Sequence, residues 1–189
     1  MIIPVSSAAA GDIVACHSRG AIGSAIRLDQ RLAGDAWPAG VPAAAADEPW
    51  MWNHIAILDR QIGGEWTVIQ AEAHGVTGTD NSGRAFLAKP LATVAPGGRF
   101  EVLQLPPACE RARVLSLARG EVGARYGFVS IASIVATELT PRPLRFDFRR
   151  AGTWICSALG AEALRAGGWY HQWPDIYQVR PAQLYLALA

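Results

Sequence analysis

The sequence predicts a single α+β domain in which an antiparallel sheet packs against helices. Three observations lead there. The chain has 189 residues, which is one domain with elaborations at roughly 150 residues per domain. Its 51% hydrophobic content against 17% charged supplies enough apolar surface to offset the entropy of ordering the chain. Short runs of strand formers alternate with amphipathic helical segments, and neither an internal repeat nor a low-complexity linker divides them, so residues 1–189 read as one unit.

Gly11 and Asp12 make a turn before the first strand, Ile13–Cys16. Ser18 is placed to cap a helix whose Ile22, Ala25, Ile26 and Leu32 recur at helical spacing, with Arg27 and Arg31 on the wet side. From 34 to 50 the chain carries prolines, an alanine run and no period, which reads as an irregular lid-like insertion of the kind that borders a binding site. Residues 53–59 (NHIAILD) form a strand, Gly63-Gly64 a turn, and residues 66–71 the second strand of a hairpin. A third strand follows at Gly75–Thr79 and a fourth at 99–105, ended by Pro106-Pro107. Residues 108–122 read as an amphipathic helix stopped by Gly123, and 129–138 as a more apolar one ended by Pro141 and Pro143. The last clear helix is Cys156–Ala166, stopped by Gly167-Gly168.

Composition excludes several classes of function. Lys+Arg exceed Asp+Glu by 17 − 16 = +1, too little for a broad field that would hold nucleic acid or an anionic membrane. The longest apolar segment, 128–139, is interrupted by Ser130, Ser133, Thr137 and Glu138 and falls short of the ~20 residues a transmembrane helix needs. The first ten residues lack the basic and apolar regions of a secretory signal, and the chain reads as intracellular, that is, cytoplasmic. Three cysteines, Cys16, Cys109 and Cys156, are too widely spaced for a metal knuckle and odd in number for a disulfide framework. The four histidines show no HExxH or paired spacing, so neither a metal nor an organic cofactor is expected.

The chemistry concentrates at two positions. Cys156 stands at the first turn of the last helix, where unpaired N–H groups and the positive end of the dipole favour thiolate. The same donors can hold the oxyanion of a tetrahedral intermediate. His54 begins a strand inside an apolar pattern, so a rigid element carries a titratable ring of the kind a thiolate enzyme uses as base. The imidazole then needs a third polar group on its second nitrogen. Gln70 and Glu72, two residues apart on the neighbouring strand, share one face and are both placed to supply it. Cys16 and His17 are adjacent in a strand and point to opposite faces, which excludes them as a nucleophile and base pair. Cys109 reads as packing, and His74 and His171 as surface or hydrogen-bonded residues. Asp12 reads as an organiser of the turn before the first strand. Trp37, Trp50 and Trp52 precede His54 and Trp154 precedes Cys156. Core packing is the default for them, and an apolar cleft walled by Trp52, Trp154 and Tyr126 is the functional reading.

Together, GDIVACHSRGAIGSAIR from Gly11, WNHIAIL from Trp52, VIQAEAHGV from Val68, ARYGF from Ala124 and WICSALGAEAL from Trp154 resemble the permuted papain-like amidases and peptidases, the YiiX-like branch of the NlpC superfamily. The resemblance spans roughly residues 11–168. It implies a papain-like fold in circularly permuted order, with the His strand early and the Cys helix late. It also implies a cysteine hydrolase that cleaves an amide or ester in a peptide, a cell-wall-type amide or a lipid acyl group without a cofactor. On this resemblance His54 is the base and Cys156 the nucleophile, and the turn at Asp12 lies near the site. The family's acidic orienter falls on Gln70, a departure that an amide orienter, or Glu72 after a local bulge, would explain. A catalytically silent papain-like binding module is the alternative.

Overall fold

The computed structural model of the protein describes residues 1–18, 21–34, 49–97, 99–128, 152–171, 173 and 175–189. Ten strands and five helices lie within them: β1 (Ile2–Ile3), β2 (Ile13–Cys16), α1 (Ala21–Leu32), β3 (His54–Ile62), β4 (Glu65–Glu72), β5 (Gly75–Thr79), β6 (Ala85–Phe86), β7 (Lys89–Pro90), α2 (Leu91–Val94), β8 (Phe100–Leu103), α3 (Arg111–Gly120), β9 (Arg125–Tyr126), β10 (Thr153–Trp154), α4 (Cys156–Ala166) and α5 (Pro181–Leu188). Among the described residues one sheet runs in the order β1-β8-β2-β3-β4-β5-β6, with β7 also on β4, and every pairing in it is antiparallel. The fold is therefore a mixed α+β one with an antiparallel sheet packed against helices. The expected helix at 129–138 and most of the expected lid at 34–50 lie outside the described residues.

Strand alternation sorts the sheet into two faces. Ile13, Ala15, Ile55, Ile57, Ile69, Ala71 and Leu103 point to one side and form the main core with α3, α4 and α5. Val14, Cys16, Ala56, Leu58, Val68 and Val102 point to the other, where Leu91 of α2 and Ala95 close a smaller cluster. Helix α4 lies directly on β3 and β4 and against α3 and α5. Gly160 permits that approach, because a Cβ there would stand 2.9 Å from Leu184 Cδ2 and 3.1 Å from Ile55 Cγ2. We expect Gly160→Ala to destabilise the protein by about 1–3 kcal/mol through overpacking, despite the ~1 kcal/mol gain in helix propensity. Urea denaturation measures the balance, and an unchanged or higher midpoint would show that α4 can lift off β3 freely.

Two elements depart from the sequence reading. Helix α1 forms, but Ile22, Leu28 and Leu32 are exposed while Gly23, Asp29 and Gln30 are buried. The apolar stripe faces outward because the inward face does polar work: Gln30 Nε2 donates to the carbonyls of Trp50 and Trp52, and Gln30 Oε1 accepts from Ala182 N–H. Helix α5 was not anticipated. Pro181 begins it, and its Ala182, Leu184, Tyr185 and Leu188 are all buried, so its sequence shows no polar face to mark a helical period.

Candidate functional site

The site is built where the ends of β2, β3 and β4 meet the start of α4. Asn53, the residue before β3, is buried and clamps Ser18: its Oδ1 accepts from Ser18 N–H at 2.7 Å and from Ser18 Oγ at 3.1 Å, and its Nδ2 donates to the Ser18 carbonyl at 3.0 Å. Gly23 of α1 leaves room for this clamp, since a Cβ there would lie 2.5 Å from Asn53 Nδ2. With Gln30 holding the carbonyls of Trp50 and Trp52, the chain reaches His54 already fixed on both sides.

Gln70 Oε1 accepts a hydrogen bond from His54 Nε2 at 2.6 Å, and Gln70 is only 2% exposed. That bond fixes the tautomer with the proton on Nε2, leaving Nδ1 as the basic nitrogen. The other side-chain hydrogen bond of His54 is to Cys156, and with Nε2 occupied it falls on Nδ1. Cys156 is the first residue of α4, and backbone groups of Ile55 and Ser157 also hydrogen-bond its sulfur. The two side chains are about a hundred residues apart in sequence and adjacent in space because α4 packs on β3.

Their ionisation is coupled. Burial opposes a charge on Cys156, but the His54 charge, the hydrogen bond from its ring and the bonds from Ile55 and Ser157 outweigh it, so the thiol sits below its ordinary range. For His54, burial works downward, and the Cys156 charge, its hydrogen bond, the Gln70 bond and the Glu72 charge together raise the ring above its ordinary value. Each charge favours the other, so the thiol is lowered and the imidazole raised toward one another, in the direction of a thiolate and imidazolium pair. Cys16 pairs in register with His54 across β2 and β3, yet burial and the nearby Cys156 charge push its thiol far upward. Burial likewise raises Cys109, more than the neighbouring Arg111 charge lowers it.

A recess of about 220 Å³ opens beside the ring, lined by Ser18, Ile22, Asn53, His54, Gln70, Glu72, Lys89 and Tyr126 among others. That is room for one side chain or a short acyl group. Cys156 is 4% exposed and is not among its lining residues. Tyr126 arrives on β9, whose parallel partner β10 sets Tyr126 beside Trp154, two residues before the thiol. Gly75 admits this strand, because Val76 N–H donates to the Ala124 carbonyl at 2.8 Å and a Cβ on Gly75 would stand 2.4 Å from that same oxygen. Burial, then the charges of Cys156 and Glu72, hold the Tyr126 phenol protonated.

Three residues expected at the cleft lie elsewhere. Trp52 is buried in the main core, with its ring centroid 5.7 Å from that of Tyr185. Trp154 is also a core residue, stacked on Tyr177 at 5.6 Å, and its Nε1 donates to Glu121. Asp12 sits at the far end of β2, where Oδ1 pairs with Arg111 at 2.7 Å and accepts from Leu105 N–H while Oδ2 accepts from Ala9 N–H. Its side chain organises the turn and does not line the recess. Conversely, Lys89 had no role in the sequence reading, and its position on the two-residue β7 leaves no pattern that would have found it. Glu72 pairs with Lys89, with the ammonium 2.7 Å from Oε1 and 2.8 Å from Oε2.

No protein-family model matches the chain, and no curated protein matches it at a significant level. Among the described residues there is no group of three or more His, Cys, Asp or Glu side chains able to hold a metal ion, and no helix is long and apolar enough to cross a membrane.

Proposed function

We propose that the protein is a cysteine hydrolase of permuted papain-like type that cleaves an amide or ester through Cys156 and His54. The observation that carries this reading is the relay Gln70–His54–Cys156, in which one ring nitrogen is held by an amide and the other by a thiol at a helix start. The chain order, His strand before Cys helix, is that of the resembling family. The Cys156 thiolate attacks the substrate carbonyl, and the imidazolium gives its proton to the leaving amine or alcohol. His54 then takes a proton from water as it attacks the acyl-enzyme, releasing the acid and the thiolate. The Cys156 N–H at the start of α4 would donate to the developing oxyanion, and Tyr126, which lines the recess, could add a second donor.

A catalytically silent binding module is the second reading, favoured by the 4% exposure of Cys156 and by the neutral orienter. Labelling of the intact protein with iodoacetamide near neutral pH, mapped by peptide mass, separates the two. The hydrolase reading expects Cys156 to be modified well ahead of Cys16 and Cys109, and equal or absent labelling of Cys156 would end it.

Gln70 supplies a second check. An amide holds the ring without adding charge, so Gln70→Ala is expected to lower turnover while leaving Cys156 alkylatable. Gln70→Glu places a carboxylate on the imidazolium, raises the His54 pKa further and moves the alkaline limb of the pH–rate profile upward. If Glu72→Gln shifts that profile while both Gln70 variants match the parent, Glu72 is the orienter instead.

A further inference from the structure

The contact between Glu72 and Lys89 lies inside the recess and bears directly on His54. In the β3/β4 register Ile57 pairs with Ile69 and Leu58 with Val68. Beyond the Ile57–Ile69 pair, Gln70, Ala71 and Glu72 pair with β5, and Gln70 and Glu72, two residues apart on one face, both line the recess beside His54. A carboxylate beside an imidazole is the stronger partner of the two, because it adds charge to the hydrogen bond. Yet Nε2 is bonded to Gln70 at 2.6 Å, and both Glu72 oxygens face Lys89 Nζ at 2.7 and 2.8 Å. Lys89 comes from β7, which adds to β4 with Lys89 beside Val68, so its side chain runs along the same face toward Glu72.

We propose that Lys89 is a positioning residue for His54: by donating to Glu72 Oε2, with its ammonium 2.7 Å from Oε1 as well, it keeps that carboxylate off the imidazole and reserves Nε2 for Gln70. The inference rests on the reading of His54 as the base. Its chemical consequence is a change in basicity: a ring tied to the carboxylate stays protonated to higher pH, so the alkaline limb of the pH–rate profile would move upward if Glu72 took Nε2. The titratable and charged groups facing His54 are Cys156 from α4, Cys16 from β2, Glu72 from β4, Lys89 from β7 and Tyr126 from β9.

The test is the titration of the His54 ring by NMR in the full chain, with Cys156→Ser throughout so that the thiol's own titration does not enter. Lys89→Met is expected to raise the His54 pKa by about 0.5–1 pH unit as Glu72 swings to the ring. Lys89→Arg should keep the parent value. In the Glu72→Gln background Lys89→Met should have almost no effect, because the group it restrains is gone. An equal shift in both backgrounds would show Lys89 acting as a bare charge and overturn the proposal. So would an unmoved His54 in a folded Lys89→Met protein, and the half-exposed Lys89→Arg variant guards against loss of fold. The titration requires no turnover, so a Cys156 that never labels would end the hydrolase reading and leave this result standing.

Discussion

Cys156→Ser is expected to fold like the parent and to lower turnover of a short p-nitrophenyl ester at least about a thousandfold, as loss of a nucleophile does in hydrolases built on a concerted relay. The two side chains are similar in size, and the groups that meet the sulfur, the His54 ring and backbone groups of Ile55 and Ser157, also suit an alcohol. The loss is chemical. The His54 charge and hydrogen bond lower the thiol below its ordinary range, whereas an alcohol starts many pH units higher and stays protonated beside the same ring. Retained hydrolysis would mean that another group attacks the carbonyl.

The largest expected loss of stability comes from a pair remote from the chemistry. Asp59 of β3 has a fully buried side chain, and Arg119 of α3 places Nε at 2.9 Å and Nη2 at 2.7 Å from its Oδ1. Among the described residues the remaining oxygen meets the Arg60 Nε at 3.3 Å, from a side chain that is 38% exposed. Arg119→Met leaves the carboxylate in the interior with that one distant partner, and we expect it to cost about 3–5 kcal/mol. Asp59→Asn combined with Arg119→Met should recover much of the loss, since it removes the stranded charge. Urea denaturation of the parent and these two variants measures both effects. A loss under about 1 kcal/mol for Arg119→Met would mean that solvent screens the pair as it does on a surface.

The parts of the molecule legible in its sequence are those where a local pattern and the tertiary structure agree. Ile13–Cys16, Gly75–Thr79 and Cys156–Ala166 coincide with β2, β5 and α4, because each has strand formers or an apolar helical face bounded by glycine. The expected strand at 99–105 is shorter, Phe100–Leu103, and the helix expected over 108–122 is Arg111–Gly120, differences confined to ends where caps and turns compete with the regular element. Helix α1 misled because periodicity reports that a stripe exists, not which side it faces. There the buried hydrogen bonds of Gln30 set the orientation. Gln70 and Glu72 lie on one face of β4, and the sequence reading favours Gln70 through the position of the family's orienter; in the structure Gln70 Oε1 is 2.6 Å from His54 Nε2, while Glu72 pairs with Lys89, which a two-residue strand leaves without a pattern. The tryptophans misled through composition: Trp52 and Trp154 flank His54 and Cys156 in sequence, but strand and core geometry turn their rings into the main core.

The central claim is that His54 and Cys156 share a proton, and the pH dependence of Cys156 alkylation tests it most directly. In the parent, the iodoacetamide rate at Cys156 should rise through an inflection below the ordinary thiol value of 9.0 and then level off. With His54→Gln, burial is no longer offset by the imidazolium, and the inflection should move to or above that value, lowering the rate at pH 7 more than tenfold. Identical profiles in the two proteins, or a parent thiol that ionises only above its ordinary value, would contradict the account.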